Sequence, residues 1–105
     1  MRPVTTTGAS TRLVPYEQLS AFVQGVLTAV GVPPEDAAVV ADCLTTANLS
    51  GVDSHGVVRL AHYVRRLQNG TIKARPAISF DRRAPSLGIL DGGDGLGHVV
   101  TWRAC

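Results

Sequence analysis

The sequence is poor in aromatic residues and cysteines, and it has no long apolar stretch. Aromatic residues make up 5% of the chain, so a core has to be built mainly from valine, leucine and alanine. The two cysteines, Cys43 and Cys105, form neither a CxxC pair nor a metal-ligand spacing. This usage is typical of a reduced, cytoplasmic protein and predicts no bound metal. No run of about 18 apolar residues occurs, so no membrane partner is predicted.

Charge is also scarce. Charged residues make up 17% of the chain, and the formal net charge is +2. A nucleic-acid-binding domain usually carries a concentrated basic surface, so no nucleic-acid partner is predicted. The 45% of hydrophobic residues among 105 positions indicates one small globular domain or a piece of a larger one.

Apolar periodicity predicts two amphipathic helices near the beginning of the chain. The first is predicted over residues 16–30 and stops at Gly31; the second is predicted over residues 34–49 and stops at Gly51. The predicted buried face of the first consists of Tyr16, Leu19, Phe22, Val23, Val26, Leu27 and Val30. The predicted buried stripe of the second consists of Ala37, Val40, Ala41, Leu44 and Ala47.

A third helix is predicted to begin at residues 53–54, with Ser54 as its N-cap, and to end near residues 69–70. Spacings of four, three and four put four of its polar residues on one face. These residues are His55, Arg59, His62 and Arg66.

The beginning of that helix predicts a site for a small carboxylate. The helix dipole, the imidazole of His55 and the guanidinium of Arg59 would converge there. Arg59 would bind the carboxylate through two hydrogen bonds. His55 would donate to the oxygen of a keto or hydroxy group, or exchange a proton with it.

The same pattern has a plainer interpretation. A stripe of histidine and arginine is often only the solvated face of an amphipathic helix, and a serine N-cap is often only a cap. Gly56 favours the functional interpretation, because glycine is poor inside a helix and indicates close approach of backbone or ligand.

The pattern changes to short strands after Gly70. Strands are predicted at residues 77–80 and 87–90, and a helix is predicted from residue 98 to the end. The turn between the two strands is predicted to contain Arg82, Arg83 and Pro85.

The glycine-rich segment 91–97 does not carry the GxGxxG pattern of dinucleotide binding, because the third glycine would fall on Val100. Its two carboxylates, Asp91 and Asp94, would repel a phosphate. We therefore predict a strand-to-helix turn here and leave the cofactor-binding residues unassigned.

Together these patterns predict an α/β fold, in which three helices lead into the start of a mixed sheet. The expected organisation is a flexible leader at residues 1–14, a helical part at 15–70 and the beginning of an α/β part at 71–105. Because the chain stops two turns into a helix, directly after the glycine-rich segment, we expect an incomplete sequence.

The run GVDSHGVVRL, from Gly51 to Leu60, resembles the malate/L-lactate dehydrogenase family, whose nucleotide-binding fold is not of the Rossmann type. Tyr63 and Gly70 extend the likeness, which covers roughly residues 14–105. Further matching positions are Gly31, Val32, Asp36, Ala37, Asp91, Gly95, Leu96 and Gly97. His98 departs from the family, in which a glutamine is expected.

The resemblance implies hydride transfer between NAD or NADP and a small 2-oxo acid or cyclic imino acid. At matching positions, Arg59 would hold the substrate carboxylate, and the catalytic residues His55 and Ser54 would contact the reacting end. The family also includes ureidoglycolate, sulfolactate and piperideine-2-carboxylate enzymes, so the substrate stays open. Its members form homodimers, so a second copy is the expected partner.

Two other functions stay open. One is a catalytically inactive, truncated domain that acts only in dimerisation or partner binding, and we expect the 105-residue chain alone to be inactive. The other is a helix-turn-helix DNA binder using the second and third helices. The net charge of +2 and the position of Gly56 disfavour it.

Overall fold

The computed structural model describes residues 3–4 and 12–105. The elements in chain order are β1 Pro3–Val4, β2 Arg12–Leu13, α1 Tyr16–Ala29, α2 Pro34–Leu49, α3 Leu60–Gln68, β3 Ser79–Ala84, β4 Leu87–Asp91 and α4 Gly97–Ala104. Two 3₁₀ turns, Asp53–His55 and Val57–Arg59, lie between α2 and α3. The predicted α/β class is confirmed, because helices and two antiparallel strand pairs occur in the described chain.

The predicted flexible leader falls largely outside the described residues. Its described parts, β1 and β2, pair antiparallel, with Pro3 opposite Leu13 and Val4 opposite Arg12.

The first predicted helix is confirmed as α1, although its buried face is narrower than predicted. Leu19, Val23 and Leu27 are buried, whereas Phe22 is 60% exposed. Each residue turns an α-helix by about 100°, so Phe22 lies at the edge of the stripe centred on Val23. The prediction that Phe22 is buried is therefore wrong.

The second predicted helix is confirmed as α2, and it forms the centre of the core. Both α1 and α4 pack against it, and Val40, Ala41 and Leu44 are fully buried. The predicted stripe needs one correction at its end, where Asn48 rather than Ala47 is the buried residue.

Two glycines end these helices as predicted. The φ angles of Gly31 and Gly51 are +100° and +83°, a left-handed conformation that glycine adopts without steric cost. The residues that follow close the ends, since the Val32 and Val52 N–H groups donate to carbonyls inside α1 and α2.

An ion pair joins α4 to the beginning of α2. Arg103 Nη2 donates to both carboxylate oxygens of Asp36, at 3.1 and 3.2 Å. Asp36 is buried, so the bonds compensate the cost of removing its charge from water. The predicted helix after the glycine-rich segment is confirmed as α4, and its Val99 is part of the core.

β3 and β4 form an antiparallel hairpin, in which Phe80 lies opposite Leu90. The predicted turn was placed too early along the chain. Arg82 and Arg83 belong to β3, and the chain reverses at residues 85–86. Pro85 has no N–H to donate to the strand ladder, so the pairing ends there.

The glycine-rich segment forms the predicted strand-to-helix turn. Gly93 and Asp94 both have left-handed φ angles, of 57° and 60°. A Cβ on Gly93 would lie 2.7 Å from the carbonyl oxygen of Ala77, so this glycine is required by close packing. None of the described helices has the length and apolar character needed to cross a lipid bilayer.

Candidate functional site

The segment between α2 and α3 differs from the predicted continuous helix. It forms two 3₁₀ turns separated by Gly56, whose ψ angle of −148° is far from the helical value. The α-helix begins only at Leu60. Ser54 lies inside the first 3₁₀ turn and makes no capping hydrogen bond, so the prediction of an N-cap is wrong.

This break changes the electrostatic argument for the site. The predicted single helical face is not formed, because His62 and Arg66 lie on α3, whereas His55 and Arg59 each end a 3₁₀ turn. The first-turn N–H groups of α3 follow Arg59 in the chain. The prediction that a helix N-terminus lies at His55 is therefore wrong, and a short 3₁₀ turn supplies no comparable dipole.

Ser54 nevertheless brings the three predicted site residues together. Its hydroxyl lies 2.9 Å from His55 Nδ1, and its carbonyl oxygen accepts a hydrogen bond of 2.8 Å from Arg59 Nε. The imidazole of His55 and the guanidinium of Arg59 are thus both hydrogen-bonded to Ser54. All three side chains are exposed.

These contacts determine which atoms can meet a ligand. The hydroxyl of Ser54 occupies His55 Nδ1, which leaves Nε2 for the oxygen of a bound molecule. The carbonyl of Ser54 occupies Arg59 Nε, which leaves the two terminal nitrogens. Two parallel N–H groups match the two oxygens of a carboxylate, so the arrangement suits a small acid with a second oxygen nearby.

Asn48, in the last turn of α2, holds the loop formed by residues 53–59. It was not predicted from the sequence. Its Nδ2 donates to Asp53 Oδ1 at 3.0 Å, and its Oδ1 accepts from the Val57 N–H at 2.9 Å. Asn48 is buried. The available signal was a polar residue four positions after Leu44, in register with the apolar stripe.

Gly56 is explained by the same side chain. A Cβ on Gly56 would lie 2.3 Å from Asn48 Oδ1, so only glycine allows this approach. Gly56 was predicted to allow close approach of backbone or ligand; the close neighbour is instead the side-chain amide of Asn48.

Tyr63, another residue of the signature, packs against α4. Its ring meets the ring of His98 edge to face, with centroids 5.5 Å apart. Burial lowers the pKa of His98, and its Nδ1 has no hydrogen-bond partner among the described residues.

The glycine-rich turn after β4 does not fit a phosphate group. In the turn after β4, Asp91 Oδ1 accepts the Gly93 N–H, so a carboxylate occupies the position that a phosphate would need. No group of three His, Cys, Asp or Glu side chains is suitably placed for a metal in the described part of the chain. We therefore assign no cofactor contact to these residues.

Comparison with known proteins identifies relatives of this fold. A family model described as malate/L-lactate dehydrogenase matches residues 14–105. The malate dehydrogenase of Pyrococcus horikoshii is 47% identical over 91 residues, which are 87% of this chain and 25% of that protein. The L-sulfolactate dehydrogenase of Methanothermobacter thermautotrophicus is 39% identical over 93 residues, or 89% of this chain and 27% of that protein.

Solved structures agree with the sequence comparison. The structure of malate dehydrogenase from Pyrococcus horikoshii superposes with a TM-score of 0.83 at 48% identity. The superposition covers 86% of this chain and 26% of that one. The chain thus spans about a quarter of the length of the curated relatives it matches.

Proposed function

The chain belongs to the malate/L-lactate dehydrogenase family, and from that premise we propose that it supplies the substrate-binding loop of an NAD(P)-dependent oxidoreductase. The substrate class is a small 2-oxo acid, reduced to the 2-hydroxy acid, or a cyclic imino acid, reduced to the amino acid. The observation that carries the proposal is the pair of contacts through which Ser54 holds both His55 and Arg59.

Each of the three residues has a role in this proposal. Arg59 binds the substrate carboxylate through its two terminal nitrogens, because its Nε is already bonded to the loop. His55 faces the 2-oxo oxygen with Nε2 and gives it a proton as the carbonyl becomes a hydroxyl. Ser54 fixes the orientation of the imidazole through Nδ1.

The exposure of the site indicates that these residues form one wall of a binding site. A guanidinium in contact with bulk water binds a carboxylate weakly, because water screens the charges and competes for the hydrogen bonds. In the proposal, further polypeptide, and a second copy of the protein in a homodimer, complete the enclosure. NAD or NADP is proposed as the cofactor on the basis of family membership alone. The two free thiols, Cys43 and Cys105, fit a cytoplasmic location.

A chimeric enzyme tests the proposal. Residues 14–105 would replace the corresponding segment of the Pyrococcus horikoshii malate dehydrogenase, to which they are similar in sequence and fold. We expect the chimera to oxidise malate. Arg59→Gln should lower kcat/KM by about a hundredfold, because an enclosed charge pair contributes a few kcal/mol. His55→Gln should lower kcat by roughly 10²–10⁴-fold, the usual contribution of general acid catalysis.

The matched control is Arg65→Gln, which removes the same charge from an exposed position on α3. Its kcat/KM should stay within about twofold of the unmodified chimera, since surface charges contribute little. A chimera in which Arg59→Gln and Arg65→Gln behave alike would contradict the assignment of Arg59.

A second candidate is a catalytically inactive domain that acts in dimerisation or partner binding. Large apolar side chains on the hairpin and α4 favour it, since Ile89 is 51% exposed and Trp102 is 68% exposed. It predicts a dimer of the 105-residue chain in sedimentation equilibrium, which Trp102→Ser should dissociate. Steady oxidation of NADH or NADPH with 2-oxo acids by that chain would contradict it.

A further inference from the structure

Asn48 connects the core to both ends of the segment that carries Ser54 and His55. One of its hydrogen bonds reaches Asp53, the residue before Ser54, and the other reaches Val57, the second residue after His55. Asn48 itself is fixed by α2, where it is 7% exposed. A single buried amide therefore holds the loop at two points.

The backbone hydrogen bonds within the loop are those of two short 3₁₀ turns. Its 3₁₀ turns are three residues long, and such turns have poorer hydrogen-bond geometry than an α-helix. In an α-helix the Val57 N–H would donate to the carbonyl of Asp53; here that carbonyl accepts from Gly56 instead. Asn48 Oδ1 accepts from the Val57 N–H in its place.

We propose that Asn48 is a positioning residue for the reaction, which holds residues 53–57 so that His55 and Arg59 act on one substrate molecule. This inference rests on the proposed function of the loop. An amide suits the task, because it donates to the carboxylate of Asp53 and accepts from a backbone N–H at the same time. Leucine has a similar size and can make neither bond.

Nuclear magnetic resonance of the 105-residue chain tests the proposal without the cofactor. The unmodified protein, Asn48→Leu and Asn48→Asp would be titrated with oxamate, a stable analogue of a 2-oxo acid. Exchange of the Val57 amide hydrogen and the ring signals of His55 would be followed in each protein. Thr45→Val is the matched control, because Thr45 is also buried on α2 and its hydroxyl donates only within the helix.

Asn48→Leu should speed exchange of the Val57 amide by at least about tenfold, which corresponds to a lost hydrogen bond of roughly 1.4 kcal/mol. It should shift the His55 ring signals and raise the Kd for oxamate by about tenfold or more. Asn48→Asp keeps the oxygen that accepts from Val57, so the Val57 amide should stay protected from exchange. The affinity of Asn48→Asp for oxamate should lie between the affinities of the unmodified chain and Asn48→Leu. Thr45→Val should leave the Val57 exchange, the His55 signals and the Kd within about twofold.

The unmodified chain tests the proposal even if Asn48→Leu fails to fold. A Val57 amide that is unprotected from exchange in the unmodified chain would overturn the proposal. Unchanged His55 ring signals or an unchanged Kd in a folded Asn48→Leu would also overturn it. Because the exposed site is expected to bind a carboxylate weakly, failure of the unmodified chain to bind oxamate even weakly would instead contradict the proposed function. The exchange rates and the His55 signals would then still decide whether Asn48 sets the loop.

Discussion

Two successive stretches of this chain, α2 and residues 53–68, obtain their shapes in different ways. α2 is one unbroken helix, Pro34–Leu49, whose apolar residues return to the same face and are buried by α1 and α4. The second stretch has a comparable apolar period, yet only Leu60–Gln68 is α-helical. At the break between the two stretches, a side chain of the first, Asn48, accepts a backbone hydrogen bond from Val57 of the second. Periodicity thus predicts a helix only where the backbone bonds stay within it.

The largest effect is expected at the centre of α2. Leu44→Ala should lower the free energy of unfolding by about 2–5 kcal/mol, because it leaves a cavity at a fully buried position. The measurement is urea denaturation followed by circular dichroism. Cys43→Ala, at the adjacent exposed position, should change the same quantity by less than about 0.5 kcal/mol. Equal losses for the two variants would show that α2 is not the centre of the core.

A smaller effect is expected where the two stretches meet. Gly56→Ala should cost roughly 1–3 kcal/mol of unfolding free energy, because the new Cβ would overlap with the amide of Asn48. Gly25→Ala, on α1 with open space around it, should instead stabilise the protein by up to about 1 kcal/mol.

A double-mutant cycle sharpens the assignment at Gly56. Shortening the amide with Asn48→Ala should remove most of the added cost of Gly56→Ala, so the two changes should couple by about 1 kcal/mol or more. Additive losses would mean that Gly56 is needed for some reason other than its contact with Asn48.

The smallest effect concerns His98 of α4, which packs on Tyr63 of α3. Burial lowers the pKa of His98, so the folded state favours the neutral imidazole. Its contribution to stability is therefore complete above the unfolded value of about 6.5 and is lost as pH falls through the lower pKa of the folded state. His98→Gln should show a smaller decrease in Tm between pH 7.5 and 5 than the unmodified chain. An equal decrease would contradict this account.

The parts of the fold that were predicted from the sequence depend on neighbours in the chain. The apolar period gave α1 and α2, the glycines gave their ends, and the glycine-rich segment 91–97 gave the turn before α4. Phe22 shows the limit of this reasoning, since a period identifies a face without fixing how much of it the rest of the core covers.

The candidate site was predicted in its residues and not in its shape. Ser54, His55 and Arg59 lie together because they are close in the chain, although the continuous helix is not formed. That they form a substrate site stays a prediction. The positions of their reactive atoms depend on ψ at Gly56 and on the amide of Asn48. Neither can be derived from spacing.

Local chemistry in the amino-acid order was thus sufficient for the helices and their ends, and it selected the candidate site residues, whose role stays a prediction. Hydrogen bonds and side-chain periods within a few residues carry that information. The break at residues 53–59, and with it the relative placement of His55 and Arg59, was settled by packing against α2. There a buried amide must satisfy its own hydrogen bonds, and it does so with groups five and nine residues away.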